Sequence, residues 1–343
     1  MLDRVLSSRL VLVTGKGGVG KTNISCALGE ILSNQSKMKK RVLLVEVDNF
    51  APSMEGIYGV RQSYEPHKVK DNLYICNITW KAALHDWLLG TIKIKKIVEK
   101  IENNHVAMIY LDATPGAREI VILSRIAQYL ESYDTVIVDL PASGHALGIL
   151  RVPKTALQLM KSGPVYEKAT QLVEIFSDRQ TMPLIVSLPE TMVVNETIEL
   201  WEKLHQDLPE LQKPSVILNR TSVPSISEEE VSILDALENC EALDEDARDF
   251  LRAGRWEEEL EKASQISIER CNQSFDGAVI SLPRFGMLGG HGTKKSQQLD
   301  SIQQSNNEIN QKYQSSENTR LVIQQMSKAL ERLLFTQNTQ NIK

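Results

Sequence analysis

The chain alternates short, unbroken apolar runs with longer stretches in which apolar residues recur every three to four positions. Arg9 to Thr14, Arg41 to Val47, Asp134 to Val138, Thr181 to Leu188 and Pro214 to Leu218 are runs of the first kind, rich in Val, Ile and Leu. Each is short enough to read as a strand, and Val279 to Leu282 adds a final one. Because these runs are continuous rather than alternating, both faces of each strand must be covered. The pattern predicts an α/β fold, a mostly parallel sheet with helices on both faces. Directly after the first strand, Lys21 to Leu32 takes up the helical period.

Two regions break this rhythm. Residues near 80–130 read as mostly helical, with a breaker at Pro115-Gly116, and residues 227–272 as charged and helical around Trp256. Both are expected as helical insertions within one domain covering residues 1–290. Residues 291–318, rich in Gln, Ser and Asn, are expected to be a disordered linker. Residues 319–336 form an amphipathic helix, with Leu321, Met326, Leu330, Leu333 and Leu334 largely on one side. Such a helix either closes the core or lies on a membrane. No internal repeat is visible.

Between the first strand and its helix stands Gly15-Lys16-Gly17-Gly18-Val19-Gly20-Lys21-Thr22. This fits G-x-x-x-x-G-K-[ST], placed as a phosphate loop must be. The glycines let successive backbone N–H groups turn inward around phosphate oxygens, and the helix N-terminus adds partial positive charge. Lys21 is positioned to reach the β- and γ-phosphates, and the Thr22 hydroxyl to ligate Mg²⁺. Gly15 to Thr22, with the adjoining Asn23, are therefore assigned to ATP. The same glycines satisfy G-x-G-x-x-G, with Glu46 or Asp48 as the acidic partner of a dinucleotide site. Lys21-Thr22 decides against that reading, because a dinucleotide loop needs neither the lysine nor the hydroxyl. The fold expected is that of a P-loop NTPase.

Asp48 and Asp139 follow or end two of the strands, on the side where side chains face bound phosphates. A carboxylate there holds Mg²⁺, directly or through water, or orients an attacking water. A net charge of −5 argues against nucleic-acid binding through bulk positive charge. The four cysteines, Cys26, Cys76, Cys240 and Cys271, form no CxxC pair, as expected of reduced thiols in a cytoplasmic protein. The N-terminus does not read as a signal peptide, and no stretch is apolar enough to span a bilayer.

Lys16, just inside the loop, gives the form KGGVGKT. This resembles the deviant phosphate loop of the family that includes ArsA, MinD, ParA and the nitrogenase iron protein. The resemblance implies a homodimer with ATP between subunits and Lys16 crossing to the partner's nucleotide. Asp139-Leu-Pro-Ala-Ser-Gly144-His145 resembles the DTAPTGHT switch of the ArsA group, which includes the ATPase targeting tail-anchored membrane proteins; Arg151-Val-Pro153 follows. Pro115-Gly116-Ala-Arg-Glu119, Pro189-Glu190-Thr191 with Glu196-Thr197, Asn219 in ILNRT and Ser281-Leu-Pro283-Arg-Phe285 match further motifs in order. By resemblance, Asn219 reads adenine, Pro283 and Phe285 cover the base, and Thr22, Asp48 and Asp139 serve the metal. Lys16, Lys21 and Asp48 carry Mg²⁺-dependent hydrolysis.

Departures from the group bear on biology. The first switch, usually DPAHN, here reads Asp48-Asn49-Phe50-Ala51-Pro52, and the proline after Asp139 comes one position early. The CxxC of the targeting factor's dimer zinc and the second loop of the tandem arsenite-pump ATPase are both missing. Cys76 and Cys240 are either metalloid ligands or buried apolar thiols. Trp80 to Tyr110 matches the segment that forms a client groove in the targeting factor, or simply packs on the sheet. Three functions stay open: an ATPase driving an unidentified client or membrane partner, a nucleotide-switched carrier of membrane-protein segments, and a MinD- or ParA-like positioning ATPase.

Overall fold

A computed structural model describes residues 2–34, 40–47, 52–114, 116–222, 227–238, 244–275, 279–285 and 307–336. The continuous apolar runs become β1 (Leu10–Thr14), β2 (Val42–Val47), β5 (Thr135–Asp139), β6 (Thr181–Ser187), β7 (Ser215–Thr221) and β8 (Val279–Pro283). Together with β3 (His67–Lys70) and β4 (Leu73–Ile78) they form one sheet in the order β3-β4-β2-β5-β1-β6-β7-β8. Among the described residues only β3 pairs antiparallel; every other neighbour is parallel. The fold is α/β, as the strand pattern requires. The β3–β4 hairpin was not anticipated from the pattern. Its turn, Asp71-Asn72, holds Asn72 at φ 58°, a left-handed position that asparagine tolerates better than most residues.

Both faces of the sheet are covered, which explains the unbroken apolar strands. Leu12, Val45 and Val138 point into a layer with α7 (Ala117–Tyr129), α8 (Ser143–Leu159) and α9 (Pro164–Ser177). Val11, Val13, Leu44 and Ile137 point the other way, toward α2 (Lys21–Asn34) and α3 (Ser53–Tyr58). α13 (Asn307–Thr336) joins this second layer by packing on α2 and α3, with Ile323, Met326 and Leu330 buried. Of the expected stripe, Met326 and Leu330 thus enter the core, whereas Leu321 and Leu333 are exposed. Residues 307–318, expected as linker, are helical; residues 286–306 lie outside the described residues. Among the described residues no helix is long and apolar enough to cross a membrane.

The two irregular regions are helical as read. α4 (Trp80–Ile92), α5 (Lys95–Glu102) and α6 (His105–Ala113) precede α7, while α11 (Glu228–Glu238) and α12 (Glu245–Ser274) lie between β7 and β8. Asn104 caps α6 by accepting from Val106 N and Ala107 N at 3.0 and 3.1 Å, and Asp244 caps α12 by accepting from Ala247 N at 2.8 Å.

β1 lies between β5 and β6, so the chain's path reverses around the strand that feeds the phosphate loop. In open α/β sheets that reversal opens a crevice beyond the carboxyl ends of the strands. Register places Asp139 opposite Val13, the penultimate residue of β1.

Candidate nucleotide site

The turn from β1 to α2 is built for glycine. Gly15 has φ +142°, and a Cβ there would sit 2.2 Å from the Val186 carbonyl oxygen. Gly20 has φ +94°, with Asn219 Nδ2 2.7 Å from where a Cβ would stand. Backbone of β6 and a side chain of β7 thus press on the loop and fix its curve. Ser143 N donates to Gly15 O at 3.1 Å, tying the start of α8 to the loop as well.

Lys21 folds back over this turn, its ammonium donating to the carbonyls of Gly15 and Lys16 at 3.1 Å each. Burial lowers its pKa, and the nearby Asp139 works in the opposite direction. Thr22 Oγ1 donates to Asp139 Oδ2 at 2.5 Å. The other carboxylate oxygen, Asp139 Oδ1, is buried and has no hydrogen-bond partner among the described residues. Burial pushes the Asp139 pKa up to about 6; the Thr22 hydroxyl and the Lys21 charge oppose that rise, and Glu46 adds to it. A buried carboxylate with one unsatisfied oxygen, beside a hydroxyl at a helix start, is a fitting donor set for Mg²⁺. Asp48, expected to share the metal and orient water, lies outside the described residues.

Lys21, Thr22 and Asp139 open onto a cavity of about 450 Å³. Its other lining residues include Arg118, Glu119 and His145, which had received no site role from the sequence, and Glu46, weighed only for the rejected dinucleotide reading. Glu46 is 2% exposed and accepts from Ser53 N at 2.9 Å and Met54 N at 3.2 Å. It ties the end of β2 to the first turn of α3, across the segment that carries Asp48. Arg118 stacks its guanidinium 4.8 Å from the Trp80 ring centroid. Glu119 and His145 fall inside motifs already marked, so their signal was present without a role.

The remaining assigned residues divide. Gly17 and Gly18 are exposed at the loop tip, Val19 is buried beneath it, and Asn23 is partly buried in the first turn of α2. Lys16 Nζ pairs with Glu196 Oε1 at 2.7 Å. Asn219 is brought to the loop: its Nδ2 donates to Val19 O at 2.9 Å, and its Oδ1 accepts from Arg220 N at 3.0 Å. In this arrangement Asn219 braces the loop's backbone. Pro283 ends β8, and Phe285 packs partly buried against the α2-side core. Pro115 lies outside the described residues.

A second, apolar groove of about 380 Å³ lies on the far side of α7 and α8, lined by Trp80, Trp87, Leu111, Val152, Leu159 and Met160 among others. Arg118 borders both spaces. Gly116 begins α7 at φ +82°, where a Cβ would meet Val152 Cγ1 at 2.8 Å, so α7 and α8 are held in close contact. Of the candidate metalloid ligands, Cys76 is fully buried in the core, and burial pushes its thiol up to about 12. A thiol so far from ionisation is a poor soft-metal ligand. Cys240 lies outside the described residues.

A phosphate loop between β1 and α2 of a mostly parallel sheet, with an acidic strand end at its side, defines a P-loop NTPase fold. Residues 8–163 match the model of the anion-transporting ATPase family. ATPase BagA of Mycobacterium tuberculosis is 30% identical over 238 residues, 64% of this chain and 66% of that protein. A putative arsenical pump-driving ATPase of Chlorobaculum tepidum is 30% identical over 157 residues, 45% of this chain and 38% of its own length. ATPase GET3 of Lachancea thermotolerans is 30% identical over 165 residues, 44% and 46% of the two chains. Over residues 8–163 the chain matches the ArsA-type ATPase family. Its matched segment spans just under two thirds of the mycobacterial relative and less than half of the other two.

Proposed function

We propose that the protein hydrolyses ATP with Mg²⁺, and that nucleotide binding closes a homodimer coupled to a client or membrane partner. The observation that carries the reading is the unsatisfied, buried Asp139 Oδ1 beside Thr22 at the foot of a glycine-shaped loop. Backbone N–H groups of residues 15–22 bind the phosphates, and Lys21 leaves its two loop carbonyls to neutralise them. Thr22 and Asp139 would hold Mg²⁺, which supplies charge neutralisation on the β- and γ-phosphates. Water adds to the γ-phosphorus as the bond to the β–γ bridging oxygen breaks, giving ADP and inorganic phosphate. Asp48 orients that water, and Lys16 of each subunit reaches the other's nucleotide. Buried free thiols at Cys26, Cys76 and Cys271 accord with a cytoplasmic setting. Phosphate release from Mg²⁺-ATP is the test: a pure protein that neither binds nor hydrolyses ATP refutes the proposal.

The shared wall between the phosphate cavity and the apolar groove favours a second reading, a nucleotide-switched carrier of apolar segments. α7 and α8 present one face to each space, so a shift on ATP binding changes the groove. Crosslinking of an apolar helical peptide that does not respond to nucleotide sinks this version.

A further inference from the structure

α5 and α6 carry a surface that neither the nucleotide cavity nor the apolar groove uses. α5 packs on α4 and α6. Val98 is fully buried, and Ile101 and Met108 pack against the core. The opposite side is unusual. Lys93, Lys95, Lys96 and Lys100 are all exposed, and between them stand Ile94 and Ile97, 53% and 42% exposed. On α6, Val106 and Ile109 are 76% and 57% exposed, three residues apart and hence on one face. None of these four aliphatics lines the groove.

The charge is concentrated. Four lysines in residues 93–100 face a single acidic residue there, Glu99, which approaches Lys95 only at 4.0 Å. The nearby Glu102 is engaged by His85 at 2.8 Å. The chain as a whole carries −5, so this is a basic site on an acidic protein. A charged face kept for solubility alone has no use for exposed aliphatic side chains between its lysines. An acidic protein partner would account for the lysines but gives no role to the four exposed aliphatics. Lysines interleaved with aliphatics on short helices match a surface that is anionic outside and hydrocarbon beneath.

We propose that α5 and α6 dock the protein on an anionic lipid bilayer surface, with Lys93, Lys95, Lys96 and Lys100 among the headgroups and Ile94, Ile97, Val106 and Ile109 at the acyl boundary. The docked protein lies on the membrane and does not enter it. Ile323, Met326 and Leu330 of α13 are buried and take no part.

Sedimentation of the full-length chain with vesicles tests this. Vesicles of equal parts phosphatidylglycerol and phosphatidylcholine carry the protein down at low salt, and phosphatidylcholine vesicles do not. Raising salt to about 1 M releases it, because the Debye length falls to about 3 Å. Lys96→Ala/Lys100→Ala lowers partitioning on the order of 25-fold, about fivefold for each lysine. Ile97→Ser/Val106→Ser also weakens binding and leaves its salt dependence in place. Neither pair touches the nucleotide site, so unchanged ATP hydrolysis certifies the fold. Equal binding to the two vesicle types, binding retained in both variants, or no binding overturns the proposal. So does finding that the variants lose self-association or capture of an apolar peptide while vesicle binding stays intact.

Discussion

Lys16 and Glu196 form an ion pair at 2.7 Å, each side chain about two-fifths exposed. The lysine that the family resemblance sends across a dimer interface is therefore held, in the single chain, by the helix α10 (Thr191–Asp207). Crossing requires breaking that pair. At this exposure the pair contributes only about 0–1 kcal/mol, enough to bias the side chain without locking it. Glu196→Gln is expected to leave stability within about 1 kcal/mol and to lower by roughly up to fivefold the concentration at which ATP drives dimerisation. Sedimentation velocity with a non-hydrolysable ATP analogue measures it; an unchanged dimerisation constant removes the latch role.

Among the described residues the Lys21 ammonium donates to two loop carbonyls, and neither bond joins the loop to another element. Lys21→Ala should weaken ATP binding by roughly 100-fold or more, the loss of two charge-assisted bonds to phosphate, while the thermal midpoint stays near that of the parent. Titration with fluorescent ATP and a melting curve separate the two effects. Unchanged affinity contradicts the proposed site.

Asp139 links the proposed metal site to pH. Its folded pKa of about 6 stands above the ordinary carboxylate value, so the native state holds this proton more tightly than the unfolded chain. The stability it contributes is complete below about pH 4 and is lost as pH rises through about 6. Asp139→Asn keeps the shape and removes the buried charge. It should raise metal-free stability at pH 7 by roughly 2 kcal/mol, flatten the pH 4–6 dependence and abolish Mg²⁺-dependent hydrolysis. Urea melts across that range decide it, and a destabilised Asn variant at pH 7 argues against a strained carboxylate.

Gly15 and Gly17 look alike in the motif but differ in space. A Cβ on Gly15 meets the Val186 carbonyl at 2.2 Å, whereas one on Gly17 meets nothing within 4 Å. Gly15→Ala should cost at least about 3 kcal/mol and Gly17→Ala less than about 1 kcal/mol in the absence of nucleotide. Equal unfolding midpoints for the two variants would show that the loop does not rest on β6 as described.

Leu330 ties the C-terminal helix to the core. It is fully buried in the layer with α2 and α3. Leu330→Ala is expected to destabilise the fold by about 2–5 kcal/mol. Denaturation unaffected by the substitution would mean that α13 leaves the core in solution.

Much of this was legible along the chain. Six strands announced themselves as runs dominated by Val, Ile and Leu, because burial on both faces favours apolar residues at successive positions. The loop was equally plain, since G-x-x-x-x-G-K-T compresses turn, helix start and metal hydroxyl into contiguous residues. The β3–β4 hairpin escaped because its edge strand, His67–Lys70, is short and polar, with only the Asp71-Asn72 turn to mark it. The start of α13 escaped because residues 307–318 have few apolar positions, and helical period cannot be read without them.

What the sequence determined, then, were the elements and the chemistry carried by adjacent residues: a sheet covered on both sides and a phosphate loop with its lysine and threonine. The tertiary structure alone decided which distant groups meet them. Asp139 reaches Thr22, Asn219 reaches Val19 and Glu196 reaches Lys16. The reason is physical. A period or a motif is set by neighbours along the chain. A side-chain contact across 117 or 200 residues is set by strand order and register, which emerge only when the whole core packs.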